Sequence, residues 1–166
     1  MRKLIWPVLF LFLLLIQGAF SVFYHGWLSC DLMLLAVYSC ALLRGVQLGV
    51  SMGAFAGLLQ DAMSVGVFGF HILTRACVGY FIGLTTEKIF KDNLCYHMGV
   101  IALISAAVRF AYWWIELLRA NGNWLILDSY IWESLGFIAG NVILIVPMLI
   151  MVNNIYEWIK EEDISY

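Results

Sequence analysis

The chain has 166 residues, 64% of them hydrophobic and only 12% charged, with a mean hydropathy of +0.93. A soluble domain is about 45–50% apolar and about 25% charged, so a water-soluble globule of this size is excluded and lipid must be the solvent for much of the surface. The net charge of −2 and the absence of a basic run exclude an electrostatic nucleic-acid binder.

The N-terminus, MRKLIWPVLFLFLLLIQGAFS, has the order of a signal peptide: two cations, an apolar run, then small residues. Further apolar spans follow, which favours an uncleaved first helix. A spanning helix needs about 20 mostly apolar residues, and fewer where the bilayer thins. Six segments qualify, near 4–22, 31–43, 46–60, 68–86, 96–118 and 130–152. The second and third are short and separated only by Arg44 and its neighbours, so they form a tight hairpin or include a re-entrant segment. Pro7 and Pro147 lie near span ends, where membrane helices tolerate them. The longest connection, RANGNWLILDSYIW, is aromatic and with Trp113 and Trp114 suits an interfacial belt on the outer surface. The tail EWIKEEDISY reads as a solvated acidic end.

Six spans place both termini on one side of the membrane. Arg2, Lys3, Arg44, Lys88, Lys91 and Lys160 fall on that side, against Arg119 alone on the other, with Arg75 and Arg109 inside spans. The positive-inside rule makes the first side cytoplasmic. The expected fold is an all-α integral membrane protein: one polytopic domain over 1–166, a compact bundle of about six transmembrane helices with both termini cytoplasmic.

The stretch RGVQLGVSMGAFAGLLQD places Gly45, Gly49, Gly53 and Gly57 four residues apart, with Asp61 at the next step. Glycine costs about 1 kcal/mol against alanine inside a helix. Steps of four drift by only about 40° around the axis, so the row forms one continuous groove. In lipid, helices associate through close contact, and small residues let backbones approach. Gly79 and Gly83 on span four and Gly136 and Gly140 on span six repeat the spacing. The row predicts a close helix contact, inside the molecule or with a partner.

An ionised side chain in hydrocarbon costs several kcal/mol unless it reaches water or a partner. Asp61 ends span three and Arg75 lies inside span four. Two arrangements fit: an ion pair across the intervening turn, or two groups reaching separately to the interface. Arg109 and Glu116 raise the same choice on span five. His71 and Arg75 share a helix face at i,i+4, but no carboxylate series accompanies them to make a proton relay. Glu116, Asp128 and Glu133 sit at external helix ends as solvated acids. Cys30, Cys40, Cys77 and Cys95 form no CxxC pair and read as buried small hydrophobes. No Ser/His/Asp set, phosphate loop or HExxH pattern appears, so no catalytic residue, cofactor site or metal site is expected.

GAFAGLLQD (53–61), a short loop, FGFHIL (68–73) and VGYFIG (78–83) together resemble the rod shape-determining MreD family. The pieces that carry the resemblance are Asp31-Leu32, Arg44-Gly45, Gly57-Leu58-Leu59-Gln60-Asp61, Phe68-Gly69 and Gly79-Tyr80. Cys30 stands where the family usually has proline, and Phe68 where leucine often precedes Gly69. The resemblance implies family-motif roles for Asp31, Arg44, Asp61 and Gly69. It also implies a non-enzymatic scaffold in the bacterial plasma membrane, bound to MreC. MreB, RodA and a penicillin-binding transpeptidase would stand in the same cell-elongation assembly, with membrane lipid around it. On that reading the glycines of span three, or those of spans four and six, receive the MreC membrane helix or pack internally. The competing reading is the substrate-binding membrane subunit of an energy-coupling-factor vitamin transporter, with Trp113, Trp114 and Trp124 lining an outward pocket. An intramembrane enzyme would need convergent polar residues that the spans lack.

Overall fold

The structure, a computed structural model, describes residues 5–23, 28–64, 66–85, 93–119 and 127–164. Expectations placed on Arg2, Lys3, Lys88, Lys91 and Trp124 and on the side chains of Asp128 and Lys160 fall outside it. The described residues form six helices and no strand: α1 Ile5–Phe23, α2 Leu32–Arg44, α3 Val46–Met63, α4 Phe70–Thr85, α5 Leu94–Arg119 and α6 Leu127–Ile164. Two helical stretches, Leu94–Arg119 and Tyr130–Ile159, are long and apolar enough to cross a membrane.

The core is organised around α2. Its thirteen residues rise about 20 Å at 1.5 Å each, short of a hydrocarbon layer of about 30 Å. A helix end at that depth must be satisfied by protein, because irregular backbone is not tolerated against lipid. Every residue from Met33 to Leu42 is accordingly buried, and α1, α3, α4 and α6 all pack on this helix. α1 turns Trp6, Phe10, Leu13 and Leu14 inward and leaves Val8, Leu11, Phe12 and Leu15 outside.

Only Gly45 separates α2 from α3. Its φ of +77°, costly for any residue with a Cβ, lets one helix stop and the next begin at once. The Gly45 N–H donates to the Ala41 carbonyl, and the Gly45 carbonyl accepts from Gly49 N–H, both at 2.9 Å. α2 and α3 are thus two short helices joined by one residue.

α4 lies antiparallel in the glycine row of α3. A Cβ on Gly49 would stand 2.5 Å from the Gly79 carbonyl oxygen, and one on Gly57 2.5 Å from that of His71. At Gly53 it would stand 2.8 Å from the Arg75 carbonyl carbon, and at Gly83 2.5 Å from Val46 Cα. The partners are backbone, which cannot rotate away. Gly140 on α6 faces the Ser29 carbonyl in the same manner, and Gly136 is buried.

α5 packs chiefly on α6. α6 runs for 38 residues, past the expected 130–152 at both ends. Hydropathy finds the apolar part of a helix, whereas the backbone ladder continues until a breaker. IYEWIKEE has none, so the acidic tail to Ile164 is helical. Pro147 interrupts a single bond of that ladder.

Gly53→Ala should lower the thermal midpoint of the detergent-solubilised protein by the equivalent of about 1–3 kcal/mol, the cost of overpacking. Gly99→Ala, whose Cβ meets nothing within 4 Å, should leave it unchanged or raise it. A fluorescence-detected melting curve separates the two.

Candidate functional site: a polar core between the helices

Arg75 has no exposed surface. It lies in α4 opposite Gly53, where the absent side chain lets the α4 backbone close on α3. Its Nη2 forms an ion pair with Asp31 Oδ2, and Nη1 donates to Thr74 Oγ1 at 3.2 Å. Asp31 caps α2, its Oδ1 accepting from the Leu34 N–H at 3.0 Å. The Asp31 N–H donates to Asn141 Oδ1 on α6 at 2.8 Å, and Asn141 Nδ2 donates to Ser105 Oγ on α5 at 2.9 Å. One chain of polar contacts therefore ties α4, the start of α2, α6 and α5. Gly140 beside Asn141 admits the irregular segment before α2 to this depth.

Neither arrangement foreseen for Asp61 and Arg75 is formed: they do not pair with each other, and both are buried. The Asp61 carboxylate accepts three backbone N–H groups at the start of α4: Gly69 at 3.0 Å, His71 at 3.1 Å and Ile72 at 3.1 Å. The reason is depth. Gly53, opposite Arg75, lies eight residues, or about 12 Å, from Asp61 along α3. The α4 N-terminus lies nearer and offers orphan donors with the positive end of a helix dipole. Gly69 adopts φ +95°, which turns its N–H toward the carboxylate.

Arg109 does not pair with Glu116 either. It reaches α6, donating to Ser134 Oγ at 3.1 Å and Glu133 Oε2 at 3.4 Å, with its guanidinium 4.3 Å from the Tyr130 ring centroid. Glu116 pairs with Arg119 at 3.8 Å. Arg44 stacks between Trp6 of α1 and Tyr156 of α6, 5.2 and 5.0 Å from their centroids, which fastens the ends of three helices. Tyr38 and His97 Nδ1 share a buried hydrogen bond of 2.8 Å. All four cysteines are free. Cys40 is buried and Cys30 half-buried, but Cys77 and Cys95 are exposed, contrary to their reading as core residues. Among the described residues no cluster of three or more His, Cys, Asp or Glu could hold a metal.

These groups bond to one another across the bundle, and the motif residues Asp31, Arg44, Asp61 and Gly69 each hold a helix end or join helices. Reading the sequence missed the roles of Asn141 and Ser105. Asn141 carried a signal, since a lone amide in an apolar span needs a partner. Ser105 carried none.

A family model for the rod shape-determining protein MreD matches residues 1–156. The chain belongs to the MreD family. No curated protein and no solved structure matches it. MreD proteins are membrane proteins of rod-shape determination and are not a known enzyme family. In this MreD chain Asp31, Arg44, Asp61 and Gly69, by their contacts, are joints of the fold.

Arg75→Leu or Asp31→Asn, each leaving one charge buried alone, should destabilise the protein by about 3–5 kcal/mol. The pair Asp31→Asn with Arg75→Met should recover most of that loss. A double-mutant cycle of Asp61 with Arg75 should show coupling below about 0.5 kcal/mol. Thermal midpoints of all variants in one detergent check the set.

Proposed function

We propose that this chain is a non-enzymatic scaffold of the bacterial cell-elongation complex, which binds MreC and helps couple the MreB cytoskeleton to peptidoglycan synthesis. RodA and a penicillin-binding transpeptidase would stand in the same assembly. The observation that carries the reading is the family match over residues 1–156. It is supported by the buried polar chain of Arg75, Asp31, Asn141 and Ser105, whose members engage one another and tie four helices together. The chain would be one polytopic domain that crosses the plasma membrane six times with both termini cytoplasmic. The cations at the ends and in the second and fourth loops support that orientation.

The helix in the α3 glycine row is α4 of the same chain, and Gly140 is closed by the Ser29 carbonyl. We therefore assign Gly49, Gly53, Gly57, Gly79, Gly83 and Gly140 to internal packing, whereas Gly45, whose Cβ would meet nothing within 4 Å, serves as the joint of α2 and α3. MreC would meet side-chain surface.

Affinity purification from membranes in mild detergent should bring MreC down with the tagged chain. Gly49→Leu should remove the monodisperse protein itself, and not MreC alone. A folded wild-type sample that carries a tightly held vitamin-sized metabolite and no MreC would overturn the proposal.

A further inference from the structure

α4 and α5 do not close on each other along their length. Between them runs a cleft of about 570 Å³, walled by Leu73, Cys77 and Phe81 on α4 and by Leu103, Ala107 and Ala111 on α5. One turn further along the same two helices, beyond the Phe70–Tyr112 ring contact, lies a second cavity of about 340 Å³. This one is polar, lined by Ser64, His71, Tyr112, Glu116 and Arg119. The cleft extends from Leu73 to Thr85 on α4 and from Tyr96 to Ala111 on α5, about 18 and 22 Å at helical rise, so it is at least as deep as one leaflet. One leaflet of hydrocarbon is about 15 Å deep.

An apolar slot deep enough to take an acyl chain, with a charged mouth at one end, matches the two halves of a lipid. We propose that the cleft holds one glycerophospholipid with a primary-ammonium head group, a phosphatidylethanolamine. An acyl chain lies between α4 and α5, and the head group lies in the mouth. Charge complementarity selects the head. Glu116 and Arg119, 3.8 Å apart and each roughly half exposed, present one negative and one positive group. The Arg119 guanidinium donates to the phosphate, and the ammonium donates to the Glu116 carboxylate. A choline head keeps the charge but has no N–H to donate. A glycerol head leaves a net anion facing Glu116. The Nδ1 of His71, buried and without a hydrogen-bond partner among the described residues, adds a polar atom to the same mouth.

The test is lipid retention by the full chain. The protein is reconstituted in vesicles of equal parts phosphatidylethanolamine, phosphatidylcholine and phosphatidylglycerol with identical acyl chains. It is then re-extracted in mild detergent and its bound lipid measured by mass spectrometry. The wild type should retain the ethanolamine lipid about tenfold over the other two, the worth of one charge-assisted hydrogen bond. Glu116→Gln should bring the preference within about twofold at unchanged thermal midpoint. Ala107→Trp, which fills the slot, should lower retention of all three lipids. If Ala107→Trp fails to fold, a photoreactive side chain at Leu103 takes its place and should label lipid. Equal retention of the three lipids by the wild type, an undiminished preference in Glu116→Gln, or capture of a partner's membrane helix from Leu103 would each overturn the proposal.

Discussion

A guanidinium held away from both water and lipid needs a carboxylate at its own depth, and most of this architecture follows from giving Arg75 that partner. The partner, Asp31, comes from irregular backbone just before α2, where an unsatisfied peptide group would itself be costly. The same aspartate caps α2, and its amide is taken by Asn141, whose own amide group is taken by Ser105. Each polar group in the series exists to satisfy the one before it. Two glycines make the geometry possible. Without Gly53 the α4 backbone could not bring Arg75 inward, and without Gly140 the segment carrying Asp31 could not reach α6. The small-residue row and the buried ion pair are thus one construction, although they look unrelated along the chain.

The second constraint is the treatment of helix ends inside a bilayer. α2 and α4 rise only about 20 and 24 Å, less than a hydrocarbon layer of about 30 Å. The start of α2 is capped by Asp31, and the start of α4 by three amides on Asp61. At the junction of α2 and α3, Gly45 removes the loop altogether, and beside it Arg44 is wedged between two rings. A positive φ appears at two glycines, Gly45 and Gly69, and both stand where a helix must turn without spending residues. A motif made of Asp, Arg and Gly with no catalytic geometry is what such a set of joints requires.

Much of this was legible in one dimension because lipid imposes simple rules. Hydropathy located all six helices, since each is an apolar run bounded by charged, polar or glycine residues. The step-of-four glycines marked a surface where backbones meet, since nothing else in a helix repays that many. The pairing of charges was not legible. Asp61 is fourteen residues from Arg75 and Asp31 is forty-four away, so nearness in sequence favoured the wrong acid. Only the packing of α2 beside α4 sets the depth of each group. For the same reason Arg109 pointed along its own helix to Glu116 in the sequence and across to α6 in the fold. The helix of α6 continues through the acidic tail because polarity reports the solvent around a helix and not where its hydrogen bonds end.

The bundle is uneven in a way that bears on a scaffold. The helices from α1 to α4 share a core around α2, tied by the ion pair, the glycine contacts and Arg44. α5 is attached differently: His97, Ile101 and Ser105 are its buried residues, and the rest of its surface is half-buried or exposed. It is fastened to α6 by Arg109 at one level and by Asn141 and Ser105 at another. Between α4 and α5 the contact is a cleft. A rigid core with an outlying helix keeps its shape while offering a broad apolar perimeter to whatever surrounds it. In a bilayer that perimeter meets lipid or the helices of other proteins, and the cost of exchanging one for the other is small because both are apolar. What decides the exchange is fit at the few polar points on the rim. Among the described residues those points include Glu116 and Arg119 at the end of α5 and Glu133 at the start of α6, so polar contacts on this face stand at the ends of helices and apolar ones along their length.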